Sequence, residues 1–75
     1  AKQTGYLKGV SDLLILEPNK TYNGLFLEIK TPKGKLSPTQ KDFIDKANKR
    51  NYKAIAGYGL NECMDIIDKY FNNEL

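Results

Sequence analysis

The sequence predicts a small α/β domain in which a mixed β-sheet is flanked by helices, with its elements in the order β-β-α-β-α. Three observations predict this class. Two short apolar runs are separated by a segment rich in turn residues, as in a β-hairpin. A Ser-Pro pair then opens a stretch with helical periodicity, and a third apolar run leads into a second such stretch. With 75 residues the chain is long enough for a single domain.

The first two strands are expected to form an antiparallel hairpin. Leu13–Leu16 is a short and fully apolar run, typical of a strand buried on both faces. Glu17–Gly24 is rich in turn residues, and Gly24–Thr31 follows as the second strand. Pairing about the centre of the loop places Asp12 opposite Glu28, and directly opposed residues lie roughly 5 Å apart on one face of the sheet.

The first helix has a clear start in the sequence. Ser37 is a good N-cap, Pro38 suits the first helical position, and Gln40 completes a capping box. We expect the helix to end at Arg50, and Tyr52–Gly57 to form a third strand. That strand runs parallel to the second if the helix is a right-handed crossover.

The last element is expected to be a second helix. The segment from Gly57 to Gly59 turns the chain, and Asn61 is predicted to cap a helix that continues to about Asn73. Residues at helical spacing form an apolar stripe that should pack against the sheet. The stripe consists of Leu60, Cys63, Met64, Ile67, Tyr70 and Phe71.

Composition restricts the kinds of site that the chain can build. It has one cysteine and no histidine, so it forms no internal disulfide and has no zinc-type spacing. No apolar run approaches the length of a transmembrane helix, and no targeting leader is recognisable, so we expect an intracellular, cytoplasmic protein. The formal net charge is +3. Basic residues between Lys30 and Lys53 far outnumber acidic ones, which suits a polyanion partner or, equally, a solvated lysine-rich face.

Three ionisable residues stand at the ends of the two apolar strands. Asp12 opens the first, and Glu28 and Lys30 close the second. Such groups are costly inside apolar strands unless they are paired or bound to a metal ion. Asp12, Glu28 and the backbone carbonyl of Ile29 offer oxygen ligands for a magnesium-like ion at one end of the hairpin. The pattern therefore favours a metal-assisted hydrolytic site.

Lys30 and Gln40 are candidate partners of these carboxylates. Lys30 would stand beside the attacking water and help to neutralise charge on a phosphate. Gln40, in the first turn of the helix, can reach the same strand ends. Structural alternatives remain for each residue: a turn aspartate for Asp12, a solvent-facing pair for Glu28 and Lys30, and a purely capping glutamine.

The ordered set of motifs resembles a known nuclease family. Gly-Val-Ser-Asp at residues 9–12 is followed by Glu-Ile-Lys at 28–30 and by Lys-Gly-Lys-Leu-Ser-Pro-Thr-Gln at 33–40. This pattern resembles the PD-(D/E)XK superfamily of restriction-endonuclease-like folds and, more closely, its VRR-NUC domain, the virus-type replication–repair nuclease module. The resemblance extends from about Gly5 to Phe71. It implies a single domain over residues 1–75.

The resemblance also implies roles for individual residues. Asp12 and Glu28 would be metal ligands, Lys30 the catalytic lysine, and Gln40 the family's helix glutamine. The loop lysines Lys33 and Lys35 would approach the backbone of the nucleic acid. Two further candidates for binding nucleic acid are Lys41, within the basic segment, and Lys8, just before the first motif.

The activity implied is that of a Mg²⁺- or Mn²⁺-dependent endonuclease acting on structured DNA, with four-way junctions as a leading substrate. Small stand-alone phage forms are expected to act as homodimers in a bacterial host. The family usually begins with a helix before Asp12 that often carries another acidic residue, whereas the residues preceding Asp12 here include none. Two explanations stay open: the segment that carries this residue has been removed, or this version works without that carboxylate. Two other classes stay open: a catalytically silent nucleic-acid-binding module, and an assembly domain with an incidental basic surface.

Overall fold

The computed structural model of the protein describes residues 11–75, and the predicted order of elements is confirmed in it. Two strands come first, β1 (Leu13–Ile15) and β2 (Leu25–Lys30), and they are followed by helix α1 (Pro38–Lys49). The chain then forms strand β3 (Lys53–Tyr58) and helix α2 (Leu60–Phe71). No helix of the described residues is both long and apolar enough to cross a membrane. Lys8, one of the residues predicted to bind nucleic acid, lies outside these residues.

The three strands form one mixed sheet in the order β1-β2-β3. β1 pairs antiparallel with β2, with Leu13 opposite Leu27 and Ile15 opposite Leu25. β3 pairs parallel with β2, as predicted for a crossover through α1. The hairpin register is the predicted one, and continuing it by one pair places Asp12 opposite Glu28. β2 is therefore central, and its carboxyl end meets the start of β1.

Alternation along β2 sends its side chains to two different layers. Leu25 and Leu27 are fully buried and pack against α2, where they form the core with Cys63, Ile66 and Tyr70. Phe26 and Glu28 face the opposite layer and contact α1. The sheet is thus flanked by one helix on each face. This arrangement leaves the α1 face of β2 to carry the charged residues of the strand.

Helix α1 begins at the predicted capping box. Ser37 Oγ accepts the backbone N–H of Gln40 at 3.1 Å, and the Ser37 N–H donates to Gln40 Oε1 at 2.8 Å. Pro38 occupies the first turn, where its missing N–H is not needed. Because the cap follows shortly after β2, it holds the first turn of α1 beside the carboxyl end of that strand.

The prediction that β1 is buried on both faces is wrong. Leu14 is 44% exposed and Leu16 is 76% exposed, whereas Leu13 and Ile15 pack against the core. β1 is an edge strand, and α1 packs over β3 at the other side of the sheet. The α1 face of β1 therefore has no helix over it among residues 11–75, although the run of four apolar residues suggested one.

Helix α2 differs from its prediction in cap and in buried face. Its N-cap is Gly59 and not Asn61: the Gly59 backbone, at φ 97°, accepts the N–H of Cys63 and donates its own N–H to the Lys30 carbonyl. A positive φ at this position suits glycine. Cys63 and Tyr70 are buried as expected, but the third buried position is Ile66. Three residues of the predicted stripe are more than half exposed: Leu60, Met64 and Phe71.

Candidate active site

Three of the predicted site residues meet at the carboxyl end of β2. Gln40 Nε2 donates to Glu28 Oε2 at 2.7 Å. Lys30 lies two residues after Glu28, so both side chains point to the same face, and its Nζ is 4.0 Å from the same carboxylate oxygen. The α1 cap and the β2 strand thus bring a carboxylate, an amide and an ammonium together. This convergence is the one expected from the sequence.

The Glu28 carboxyl is an electrostatically costly group in this fold. The residue is only 4% exposed. Burial raises the pKa of Glu28 above its ordinary value, and the negative charge of Asp12 raises it further, while the Lys30 ammonium lowers it. The effects of burial and Asp12 on this pKa outweigh that of Lys30. The ionised pair of carboxylates would therefore be stabilised by additional positive charge at this point.

Asp12 is held at the site by a hydrogen bond to the backbone. Its Oδ2 accepts the N–H of Ile29 at 2.9 Å. The strand pairing of β1 begins only at Leu13, so the Asp12 side chain continues the ladder by one hydrogen bond. The N–H and carbonyl of a residue within an antiparallel pair point to the same neighbour. The Ile29 carbonyl therefore faces the edge at which Asp12 stands. The sequence did not indicate this hydrogen bond.

The oxygen atoms at this edge have the chemistry of a magnesium site. They are the carboxylates of Asp12 and Glu28 and the carbonyl of Ile29. Residues 11–75 contain no cluster of three or more histidine, cysteine, aspartate or glutamate side chains. Mg²⁺ keeps several of its waters and uses only one or two carboxylates, so a two-carboxylate edge meets its requirement. The set fits Mg²⁺ or Mn²⁺ better than a softer metal ion.

The basic residues of α1 divide into paired and unpaired ones. Lys46 pairs with Asp42 at 3.0 Å, and Lys49 pairs with Asp45 at 3.1 Å. Each pair joins exposed residues one helical turn apart, so the opposite charges largely cancel for a molecule at a distance. The middle of the exposed face of α1 is consequently close to neutral.

Three lysines that form no salt bridge with the described residues lie next to site residues along the chain. Lys33 and Lys35 are exposed in the loop between β2 and α1, and Lys41 is exposed in the first turns of α1. None of the three forms a salt bridge with another residue in the part of the chain that the structure describes. Three unpaired lysines therefore follow closely along the chain after Lys30 and Gln40. Their binding to nucleic acid stays a prediction.

The chain is similar to known proteins in both sequence and fold. Residues 1–59 match the family model described as the VRR-NUC domain. Among solved structures, one described as a VRR_NUC domain protein shares 30% sequence identity and a TM-score of 0.88. That similarity covers 93% of this chain and 58% of the other, so the chain spans little more than half of that protein's length. No curated protein matches the sequence.

Proposed function

The chain belongs to the VRR-NUC domain family, a membership that implies a nuclease-type fold, and from that premise we propose that it is a metal-dependent DNA endonuclease. The observation that carries the proposal is the Glu28 carboxylate. It is buried, it receives the Gln40 amide at 2.7 Å and the Lys30 ammonium at 4.0 Å, and Asp12 stands beside it. A buried carboxylate with a second negative charge beside it weakens the fold, and a cation-binding function accounts for its presence.

The residues at this edge have separate roles in the proposed reaction. Asp12, Glu28 and the Ile29 carbonyl would hold Mg²⁺ or Mn²⁺. When bound, such an ion neutralises phosphate charge and lowers the pKa of a coordinated water. Lys30 stabilises the negative charge that develops on the phosphate. Gln40 orients Glu28 through its amide, because its hydrogen bond fixes one carboxylate oxygen.

The proposed substrate is branched or otherwise structured DNA, with four-way junctions first. The unpaired Lys33, Lys35 and Lys41 support a polyanion partner, since they lie on the loop and helix turn that adjoin the site.

We further propose a homodimer, which would present two sites to two strands. Exposed apolar residues on α2, among them Met64, offer a surface for it. The protein would act in the cytoplasm of a bacterial host, as a phage or prophage product.

The experiment that tests this function compares labelled duplex, flap and four-way-junction DNA with Mg²⁺, Mn²⁺ or EDTA. Asp12→Ala and Lys30→Ala are measured beside the wild-type protein, and Lys49→Ala serves as a control because it changes a paired lysine away from the site. We expect cleavage with either metal, none with EDTA, and none in the two site variants. The control should cleave as the wild type does.

Two outcomes would contradict the proposal in different ways. Metal-dependent cleavage that persists in both site variants would place the chemistry elsewhere. Salt-dependent DNA binding without cleavage by the wild type would instead favour a catalytically silent binding module. Sedimentation of the wild type and of Met64→Glu tests the dimer separately, because a charge on the proposed surface should shift a dimer toward monomer.

A further inference from the structure

An open groove of about 400 Å³ lies on the α1 face of the sheet, next to the proposed site. Its apolar wall is made by three aromatic rings, Phe26, Phe43 and Tyr52, together with Ala47. Its remaining lining residues are polar residues of α1 and of its C-cap, namely Asp42, Lys46 and Arg50. A volume of this size is at the lower end of the range of small-ligand sites.

The three rings form a column with near-parallel planes. Phe26 is in the middle, with its centroid 5.5 Å from Phe43 at 20° and 4.9 Å from Tyr52 at 21°. The backbone approaches the Tyr52 ring closely, because a Cβ placed on Gly24 would come within 3.3 Å of it. Phe43 is the end of the column that α1 contributes. A further flat π-system can extend the column there.

The groove also carries one cation that no carboxylate of the described residues neutralises. Arg50, the sole arginine of the sequence, donates to the Lys46 carbonyl at 3.3 Å. It forms no salt bridge with any residue between 11 and 75, whereas Lys46 is paired with Asp42. A planar guanidinium of this kind suits a phosphate. An apolar side chain of a protein partner would leave this charge unused.

The groove is built on the two elements that carry the proposed site, β2 and α1. Phe26 precedes Glu28 by two residues of β2 on the same face, a separation of roughly 7 Å. Phe43 follows Gln40 by three residues, about 4.5 Å along the α1 axis. β2 and α1 therefore each carry a ring of the groove within a few residues of a site residue, whereas Arg50 stands farther away at the end of α1.

From this geometry we propose that the groove binds one unpaired nucleobase of the substrate strand, beside the phosphodiester that the site would cleave. The base stacks on Phe43, and a phosphate of the same strand pairs with Arg50. The inference rests on the proposed function and deepens it, because it specifies substrates with an unpaired nucleotide next to the cleaved bond. A perfect duplex keeps its bases stacked and offers none to the groove.

The test uses the fluorescence of 2-aminopurine, which is quenched when the base stacks. Three duplexes of one sequence carry, at the same position, a bulged 2-aminopurine, a paired 2-aminopurine or an abasic bulge. All are titrated with the wild-type protein in EDTA, so that no bond is cut. We expect quenching of the bulged base alone, and binding roughly fivefold or more tighter for the bulged base than for the abasic site.

Two variants, each with a control variant, assign the binding to its residues. Phe43→Leu keeps an apolar side chain without a ring and should reduce the preference for the base over the abasic site. Phe71→Leu removes an exposed ring from α2 and should leave the preference unchanged. Arg50→Gln alters an exposed side chain outside the core and should make the slope of log K against log salt less steep by about 0.7–0.9. Lys49→Gln, which removes a paired lysine, is its control.

The proposal is overturned if the wild type does not quench the bulged base, or if it binds the abasic site equally well. It is also overturned if Phe43→Leu binds as the wild type does but turns a dimer into a monomer, since the groove would then hold a second copy of the chain. Quenching without metal-dependent cleavage would support the groove and contradict the proposed nuclease. Cleavage without any preference for the base would support the proposed nuclease and contradict base binding in the groove.

Discussion

Gln40 donates its side-chain amide to Glu28 Oε2 at 2.7 Å while the oxygen of the same amide accepts the backbone N–H of Ser37 at 2.8 Å. One residue thus completes the cap of α1 and binds the buried carboxylate of β2. The sequence offered capping and catalysis as competing interpretations of Gln40. In the structure the capping bond orients the amide, so that its N–H₂ group is directed at the carboxylate.

The two hydrogen bonds of Gln40 can be separated by mutation. Gln40→Glu keeps an oxygen that can complete the capping box but replaces the donor to Glu28 with a negative charge. We expect its cleavage rate to fall by about 10- to 100-fold, as for partners of other metal ligands. Ser37→Ala removes the hydroxyl of the cap and leaves the amide beside Glu28. It should lower the free energy of unfolding by about 1 kcal/mol with no loss of cleavage.

Cleavage assays and urea denaturation of both variants measure these effects. Should Ser37→Ala lose as much activity as Gln40→Glu, Gln40 would influence the site only by capping the helix.

Glu28→Gln should stabilise the protein while abolishing cleavage. The replacement amide still accepts the Gln40 hydrogen bond, but it carries no charge in a position that is 4% exposed and faces Asp12. We expect the free energy of unfolding in EDTA to rise by roughly 0.5–2 kcal/mol. Thermal denaturation at neutral pH is the measurement. Asp65→Asn, which breaks an exposed pair with Lys69, is the control and should change stability little. A less stable Glu28→Gln would show that the charge is well compensated in the fold.

The unpaired lysines should dominate the salt dependence of DNA binding. Replacing Lys33, Lys35 and Lys41 with glutamine should make the slope of log K against log salt less steep by about 0.9 for each phosphate that is no longer neutralised. Lys46 and Lys49 share their charge with Asp42 and Asp45, so the double Lys46→Gln and Lys49→Gln variant should alter the slope less. Binding titrations over a series of salt concentrations decide between the two sets. Equal slopes for both would assign DNA binding to the whole of α1.

Gly57→Ala should destabilise the packing of α2 against β3. A Cβ at residue 57 would lie 2.6 Å from Cys63 Sγ and 3.2 Å from Cys63 Cα. We expect a loss of about 1–3 kcal/mol of unfolding free energy, as for other overpacked cores. The same change made in a Cys63→Ala background should cost less, because the sulfur is absent. A double-mutant cycle from urea denaturation measures this coupling. Additive effects would indicate that the helix backbone at residue 63, and not the sulfur, sets the cost.

Alkaline pH should weaken the fold through two buried groups. Burial raises the pKa of the Cys63 thiol and of the Tyr70 hydroxyl above their ordinary values of 9.0 and 10.0. The unfolded chain therefore releases these protons at a lower pH than the folded chain does. The stability that these two groups contribute is fully present below pH 9.0. It begins to fall as the pH rises above 9.0 for Cys63 and above 10.0 for Tyr70.

Urea midpoints measured from about pH 8 to about pH 11 should show this decline. Cys63→Ala should lose the part of the decline that begins at the lower pH. An unchanged profile in that variant would assign the whole effect to Tyr70 or to other groups.

Local patterns were sufficient for most of the fold. Equal distances from the loop centre predicted the pairing of Asp12 with Glu28, and Ser37, Pro38 and Gln40 predicted the start of α1. These features depend on residues that are neighbours along the chain or across one hairpin, where spacing determines geometry. The same spacing placed Lys30 on the face of Glu28. For this reason the sequence was sufficient to predict that Asp12, Glu28 and Lys30 lie at one site.

Burial on the outer faces was not predictable in the same way. Leu14 and Leu16 belong to an apolar run but are exposed, because β1 is an edge strand and α1 covers the far side of the sheet. Met64 is exposed and Ile66 is buried, because α2 packs only one of its two apolar sides against the sheet, the side with Cys63, Ile66 and Tyr70. Periodicity shows which residues share a face but not which face another element will cover.

The sequence by itself determined the family, the order and register of the elements, and which residues make up the candidate site, since all of these follow from the identity and spacing of residues along the chain. Only the tertiary structure decided how that site is held and which lysines are paired. Asp12 is bound to the Ile29 N–H, Gln40 is shared between cap and carboxylate, and Lys46 and Lys49 are paired within α1. The physical reason is that hydrogen bonds and salt bridges between distant residues depend on ångström-scale packing. Spacing along the chain does not encode such distances.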